Sequence, residues 1–150
     1  MVKIYIIADS FKHFQSAIDE YTKRLGKKLE IIKIKPSKNG TPSQIIEKDT
    51  QNIKKYLDKS DSFNILLSLE WKQLTSEDFA NKVISKAFNQ WEKISFFIWW
   101  AFGLDEKQLI NVNLKLKLSV FTLPHALALL VLTEQIYRSF QILENKKYHY

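Results

Sequence analysis

Residues 118–150 read LSVFTLPHALALLVLTEQIYRSFQILENKKYHY, and this stretch decides the fold. Residues 118–123 form a short, mostly apolar run. Pro124 then sets a backbone angle suited to the first turn of a helix. The run ALALLVL at 126–132 is apolar on every side, which predicts burial all round. Beyond it, Leu129, Leu132, Ile136, Phe140 and Leu143 keep one apolar face. Glu134 and Arg138 stand one helical turn apart and can pair. The stretch reads as a core helix with a tight loop packed ahead of it.

Upstream, strands and helices alternate. Residues 2–7 are β-branched and alternating, a strand. Asp9 or Ser10 can cap the helix that follows, whose inner face is Phe14, Ala17, Ile18, Tyr21 and Leu25. Gly26 is a natural stop. Residues 29–34 form a second strand, and 35–40 (KPSKNG) a loop. Thr41, Pro42 and Gln44 open a helix with a capping box. Its inner face is Ile45, Ile46, Ile53, Tyr56 and Leu57. Residues 63–67 read as a central strand. Thr75 and Asp78 suggest a second capping box, for a helix with Phe79, Val83, Ile84 and Ala87 inside. Residues 94–99 are a fourth strand, 105–110 a short helix and 112–116 a short strand. The pattern gives one α/β domain over 1–150 with a mostly parallel five-stranded sheet flanked by helices.

Composition narrows the function classes. The chain has 150 residues, enough for one domain with a core, and no cysteine, so disulfides and thiolate metal sites are excluded. Its three histidines are scattered, so no metal is expected. No phosphate-binding glycine motif and no Ser–His–Asp pattern stands out. The apolar runs are shorter than a membrane span. The start, MVKIYIIADS, turns polar too soon for a signal peptide, so a cytoplasmic protein is expected. The net charge of +7 favours a polyanionic partner such as RNA, though solvated lysine-rich faces explain it equally well.

The pattern T-L-P-H at 122–125, the E-x-x-Y-R of Glu134, Tyr137 and Arg138, and the closing Tyr148-His149 resemble the RlmH family. These are rRNA methyltransferases of the SPOUT superfamily. Supporting blocks are Ile18-Asp19-Glu20-Tyr21 with Lys23-Arg24-Leu25, residues 65–67 before Ser76-Glu77-Asp78-Phe79-Ala80, and Phe96-Phe97-Ile98 before Ala101-Phe102-Gly103-Leu104. The resemblance implies a C-terminal trefoil knot, which sequence rules alone would not predict because knots are almost absent from known folds. It further implies a homodimer that methylates N3 of a pseudouridine in the large-subunit rRNA of the assembled ribosome. The methyl donor would be S-adenosylmethionine.

Ligands of open α/β sheets bind beyond the carboxyl ends of the strands. By the resemblance, the cofactor positions are Leu67, Trp99, Gly103, Leu118, Ser119, Val120, Phe121, Thr122 and Leu123. An adenine needs an apolar slot with free backbone groups, and these loops offer both. Without the resemblance, 118–123 reads more simply as a buried strand or loop. Catalytic or substrate-contact candidates are Arg138, His149 and Tyr148. Arg138 can hold a phosphate or orient a base, or can simply pair with Glu134. His149 can meet the base edge or take the N3 proton, or can belong to a frayed tail. His125, at a helix start, reads as loop-ordering.

The departures from the family pattern are in the glycines. Trp71, Trp91, Trp99 and Trp100 stand where similar sequences carry glycine, and only three glycines remain, against a usual share of about 7%. Ser68 stands where similar sequences often carry aspartate. One reading is codon reassignment: a stop-type codon meaning glycine in the source, read here as tryptophan. Ordinary UGG codons at all four positions would refute it. The other reading is native tryptophan that reshapes the pocket, which predicts weak or absent cofactor binding. On that second reading the chain is an RNA- or ribosome-binding homologue, its pocket blocked by Trp99 and Trp100.

Overall fold

The computed structural model describes residues 1–89, 92–99 and 103–148. The readings made above for Trp91, Trp100, Ala101, Phe102 and His149 fall outside the described residues.

The strands are β1 (Val2–Ile7), β2 (Leu29–Ile34), β3 (Phe63–Lys72), β4 (Ile94–Ile98) and β5 (Leu114–Leu116). They form one sheet in the order β2-β1-β4-β3-β5, and every pairing is parallel. The helices are α1 (Gln15–Leu25), α2 (Pro42–Asp58), α3 (Ser76–Phe79), α4 (Ser85–Asn89) and α5 (His125–Leu143). A π-helical turn, Ala80–Ile84, joins α3 to α4.

Helices cover both faces, so the strands are apolar on both. Neighbouring strand residues point to opposite sides. Ile65 and Phe96 join a core with Ile18, Phe79, Leu129 and Ile136, beneath α1, α3 and α5. Leu66 and Phe97 join the other core, with Ile7, Ile53, Leu57 and Leu109, beneath α2.

Local signals placed several boundaries. Thr41 and Gln44 form both halves of the capping box at α2. Gly26 closes α1 at φ 55°, a left-handed angle that suits glycine. Thr75 accepts a hydrogen bond from the Asp78 amide, whereas the Asp78 carboxylate pairs with Lys82 at 2.8 Å.

Other boundaries differ from the sequence reading because tertiary contacts override local preference. Neither Asp9 nor Ser10 caps α1. Buried Phe11 anchors the segment, a 3-10 turn (Lys12–Phe14) follows, and Asp9 pairs with Lys38. In α2, Tyr56 is exposed and Ile46 half-buried, while polar Asp49 and Thr50 are buried. Those two hold loops: Asp49 accepts from the Ser37 amide at 2.9 Å and Thr50 from the Asp105 amide at 3.0 Å. Strand β3 continues past Leu67 to Lys72 through an irregular register against Leu116. The run at 126–132 is not buried all round: Ala126, Leu129 and Leu132 are buried, while Leu127, Leu130 and Val131 are half-buried. One face of α5 packs into the core with the sheet, α1 and α3, and Leu130 also packs against that core.

Candidate functional site

A parallel sheet puts the carboxyl ends of all its strands at one edge. There a cavity of about 450 Å³ opens at the ends of β3, β4 and β5. Its walls come from Leu67, Ser68 and Leu69 on β3, Ile98 and Trp99 at the end of β4, Lys117 to Ser119 after β5, and Phe121 to His125 with Ala128 at the start of α5.

Seven of the sequence candidates therefore meet there: Leu67, Trp99, Leu118, Ser119, Phe121, Thr122 and Leu123. Val120 is 71% exposed and is not part of the wall. Gly103 also lies outside the wall, at φ 83° in the loop after β4. That loop is tied back to the site through Glu106. Glu106 accepts from the Ser68 hydroxyl at 3.1 Å and pairs with Lys115 at 2.7 Å. The Ser119 hydroxyl accepts from the Phe121 amide at 3.0 Å, which folds the 118–123 loop into a tight turn.

Ser68, Leu69 and Pro124 lie in the loops 67–72 and 118–125 that the resemblance assigns to the pocket, though they were not named as contacts; sequence reasoning missed Ile98, Lys117 and Ala128. Only the return of α5 brings Ala128 there. The rule that ligands bind beyond strand ends points to Leu69, two residues past Leu67. His125, read above as loop-ordering, also lines the cavity. Partial burial lowers its pKa, so the ring is neutral at pH 7.

Trp99 forms part of the wall and also packs beside the core under α2, and the cavity persists next to it. Trp71 is 58% exposed on the outer end of β3, with the Lys115 ammonium 5.8 Å from its ring. Among the described non-glycine residues, only Lys12 and Asn145 have positive φ. The backbone at Trp71 and Trp99 is thus one that any residue adopts.

The cavity suits a compact, mostly apolar ligand with a few polar groups. Its volume lies in the range of small-molecule sites, about 300–1,000 Å³. The walls are aliphatic and aromatic, with hydroxyls at Ser68, Ser119 and Thr122. That combination accepts an adenine face and its polar edge, so the residues fit S-adenosylmethionine.

Arg138 and Tyr148 belong to a second cluster. Arg138 donates to the Glu134 carboxylate from Nη2 at 2.6 Å and from Nε at 3.0 Å. The Tyr148 hydroxyl lies 3.4 Å from the same oxygen and 3.4 Å from the Tyr21 hydroxyl. The Arg138 guanidinium sits 5.0 Å from the Tyr148 ring centre, and the Tyr148 ring stands edge-on to Tyr137 at 4.9 Å. The hydrogen bond to Glu134 raises the pKa of Arg138. Burial, and then the Tyr21 hydroxyl, hold the Tyr148 phenol well above its ordinary value, so it is neutral at pH 7. Arg138 lies ten residues beyond Ala128 on α5, about 15 Å along the axis at 1.5 Å per residue. Within one chain the cluster is therefore separated from the cavity.

Among the described residues, no helix is long and apolar enough to cross a membrane, and no group of three or more His, Cys, Asp or Glu is placed to hold a metal.

Comparison with known proteins agrees with this architecture. A family model described as "Predicted SPOUT methyltransferase" matches residues 1–149. A putative ribosomal RNA large subunit methyltransferase H from Methanococcus maripaludis is 38% identical, covering 92% of this chain and 91% of its own. The ribosomal RNA large subunit methyltransferase H of Clostridium botulinum is 39% identical over the same shares. Among solved structures, a probable methylase family protein from Haemophilus influenzae superposes with a TM-score of 0.63 at 18% identity, covering 99% of this chain and 70% of its own. A tRNA (m1G37) methyltransferase from Aquifex aeolicus gives 0.55 at 17% identity, covering 91% and 69%. At those identities the structural likeness speaks for the fold alone.

Proposed function

The chain belongs to the SPOUT methyltransferase family, and on that premise we propose that it methylates N3 of a pseudouridine in the large-subunit rRNA of the assembled ribosome. The observation that carries this reading is the cavity at the carboxyl edge of β3, β4 and β5, walled by the 118–125 loop.

S-adenosylmethionine, when bound, supplies an electrophilic methyl group. Leu67, Trp99, Leu118 and Leu123 provide apolar walls for its adenine, and the backbone of 118–123 meets the polar edge. Phe121, 77% exposed at the mouth, shields the pocket from the side on which the RNA arrives. Arg138 holds the RNA phosphate or orients the base, with its geometry set by Glu134. Tyr148 fixes the tail that carries His149, whose imidazole accepts the N3 proton. The chemistry asks mainly for alignment, so positioning supplies most of the acceleration.

The active unit is a cytoplasmic homodimer of single 1–150 domains, each knotted in its C-terminal part. Two observations support the dimer. The half-buried apolar residues Leu127 and Val131 offer a partner apolar contact on α5. The separation of about 15 Å between Ala128 and Arg138 fits a site to which a second copy contributes its tail. The rival reading, a binding protein with its pocket blocked by Trp99 and Trp100, is weakened by the open cavity beside Trp99.

Calorimetric titration with S-adenosylmethionine tests the reading, on this protein and on a variant with Trp71, Trp99 and Trp100 changed to glycine. Methyl incorporation into unmodified large-subunit rRNA on ribosomes follows. Micromolar binding and incorporation at one pseudouridine are expected. No binding by either protein would move the reading to the binding-protein alternative.

A further inference from the structure

The cavity and its walls use the β3, β4 and β5 part of the sheet's carboxyl edge and leave the β2 and β1 part unassigned. We propose that Lys12, Lys33, Lys35 and Lys38, on that unassigned part, form a rim that binds the phosphate backbone of the RNA beside the pocket. This rests on the rRNA-substrate reading above and adds to it the surface that seats the RNA.

Placement is the first argument. The loop after β1 and the loop after β2 emerge at the same edge as the cavity, because all five strands are parallel. At about 4.8 Å per strand, β2 lies about 10 Å from β4 and about 14 Å from β3. A nucleic-acid strand rising about 3.4 Å per nucleotide covers that span in about four nucleotides. RNA held on the rim therefore reaches the cavity mouth without a long detour.

Charge is the second. All four lysines are exposed. In residues 8–14 and 33–41 the only acid is Asp9. Asp9 pairs with Lys38 and so ties the two loops into one surface. Lys38 is the one rim lysine with an ion-pair partner among the described residues. At the other end of α1, by contrast, Arg24 pairs with Glu20, and Lys28 and Lys146 both pair with Glu144. Those cations are already committed to carboxylates, and the rim's are largely not.

Rigidity is the third. Pro36 is buried, the buried Asp49 carboxylate accepts from the Ser37 amide, and Lys48 donates to the Asn39 carbonyl at 3.1 Å. The Ala8 amide donates to the Ile34 carbonyl at 3.1 Å, which fixes the two loops side by side. Lys12 is held at φ 28°, a left-handed angle that costs a lysine energy, and such strain concentrates at functional positions. A pre-formed lysine rim loses little entropy when a polyanion docks.

The test compares three proteins: the parent, a rim variant (Lys12→Gln, Lys33→Gln, Lys35→Gln, Lys38→Gln), and a charge-matched variant (Lys55→Gln, Lys59→Gln, Lys82→Gln, Lys93→Gln). Binding of a labelled RNA stem-loop is followed by fluorescence anisotropy across a salt series, and S-adenosylmethionine binding by calorimetry. Each phosphate contact contributes about 0.7–0.9 to the log–log salt slope, so four lost contacts lower it by about three. The rim variant is expected to lose that slope and at least about tenfold in low-salt affinity, with S-adenosylmethionine affinity unchanged. The charge-matched variant is expected to keep most of both. Equal losses in the two variants would show that net charge alone acts, and would overturn the rim. So would a rim variant that binds like a parent that itself binds RNA. A parent that binds no RNA would overturn the substrate reading and the rim together.

Discussion

Replacing Glu134 should separate tail positioning from methyl-donor binding. One oxygen of this carboxylate accepts from Arg138 at 2.6 and 3.0 Å and lies 3.4 Å from the Tyr148 hydroxyl. The Arg138 and Glu134 side chains are 23% and 18% exposed, between surface and interior. Surface pairs contribute about 0.2–1 kcal/mol, and breaking a buried pair costs about 3–5 kcal/mol. For this half-shielded pair, Glu134→Ala should cost about 2 kcal/mol, and Glu134→Gln about 1 kcal/mol because an acceptor oxygen remains. Urea unfolding reads this directly, and the melting temperature should fall about 2–4 °C per kcal/mol for a chain of this size. Activity should suffer more. Loosening Arg138 and Tyr148 by about 1 Å costs up to about a hundredfold in transfer rate when positioning dominates. Cofactor affinity should not change, since Glu134 lies about 9 Å along α5 from Ala128, the last wall residue. The assay pairs methyl incorporation into ribosomes with calorimetry at a temperature where both variants are folded. An unchanged transfer rate despite the stability loss would refute the positioning role. A parallel loss of cofactor affinity would refute the separation of the two clusters.

Other outcomes can be measured independently. Trp99→Gly removes a half-buried indole and should destabilise the fold by about 2 kcal/mol, roughly half the cost of truncating a fully buried aromatic. Its S-adenosylmethionine affinity should stay within about tenfold of the parent, because Trp99 walls the cavity without filling it; binding that appears only in the glycine variant would mean the indole closes the pocket. Leu129→Ala, at a fully buried position of α5, should cost about 3 kcal/mol in urea unfolding, and a cost below about 1 kcal/mol would contradict the packing of α5 on the sheet. Hydrogen bonds from Lys146 and Lys28 lower the pKa of Glu144. A carboxyl lowered on folding stabilises above its unfolded pKa of about 4.3 and loses that contribution as pH falls through the folded value. Glu144→Gln should therefore narrow the stability difference between pH 7 and pH 4, and an unchanged difference would show that the ion pairs are immaterial.

Much of the architecture was legible because it is written in local chemistry. The capping box at Thr41 and Gln44, the stop at Gly26, the β-branched run of β1 and the apolar run of β4 each depend on a few neighbouring residues. The loop at 118–123 was assigned to a ligand through the family resemblance, since its residues alone read more simply as a buried strand or loop. Seven of the positions assigned that way line the cavity beyond the ends of the parallel strands.

What lay beyond reach depends on contacts far apart in the chain. Asp9 was a sound cap by local preference, yet buried Phe11 and the pull of Lys38 move the start of α1 to Gln15. The apolar run at 126–132 carries no mark of which side the sheet covers, so its half-buried face appears only once α5 is docked. Tyr21 and Tyr148 meet across 127 positions, and no periodicity signals such a pair. Nor does a sequence state the order β2-β1-β4-β3-β5, which brings Lys33 and the lysines of the loop after β2 to the same edge as the cavity. The sequence by itself determined which segments are strands, helices and turns, because hydrogen-bonding and side-chain periods are short-ranged. Only the tertiary structure decided which faces meet, which polar groups are buried, and which distant side chains share a site, because those depend on closing long loops around a common core.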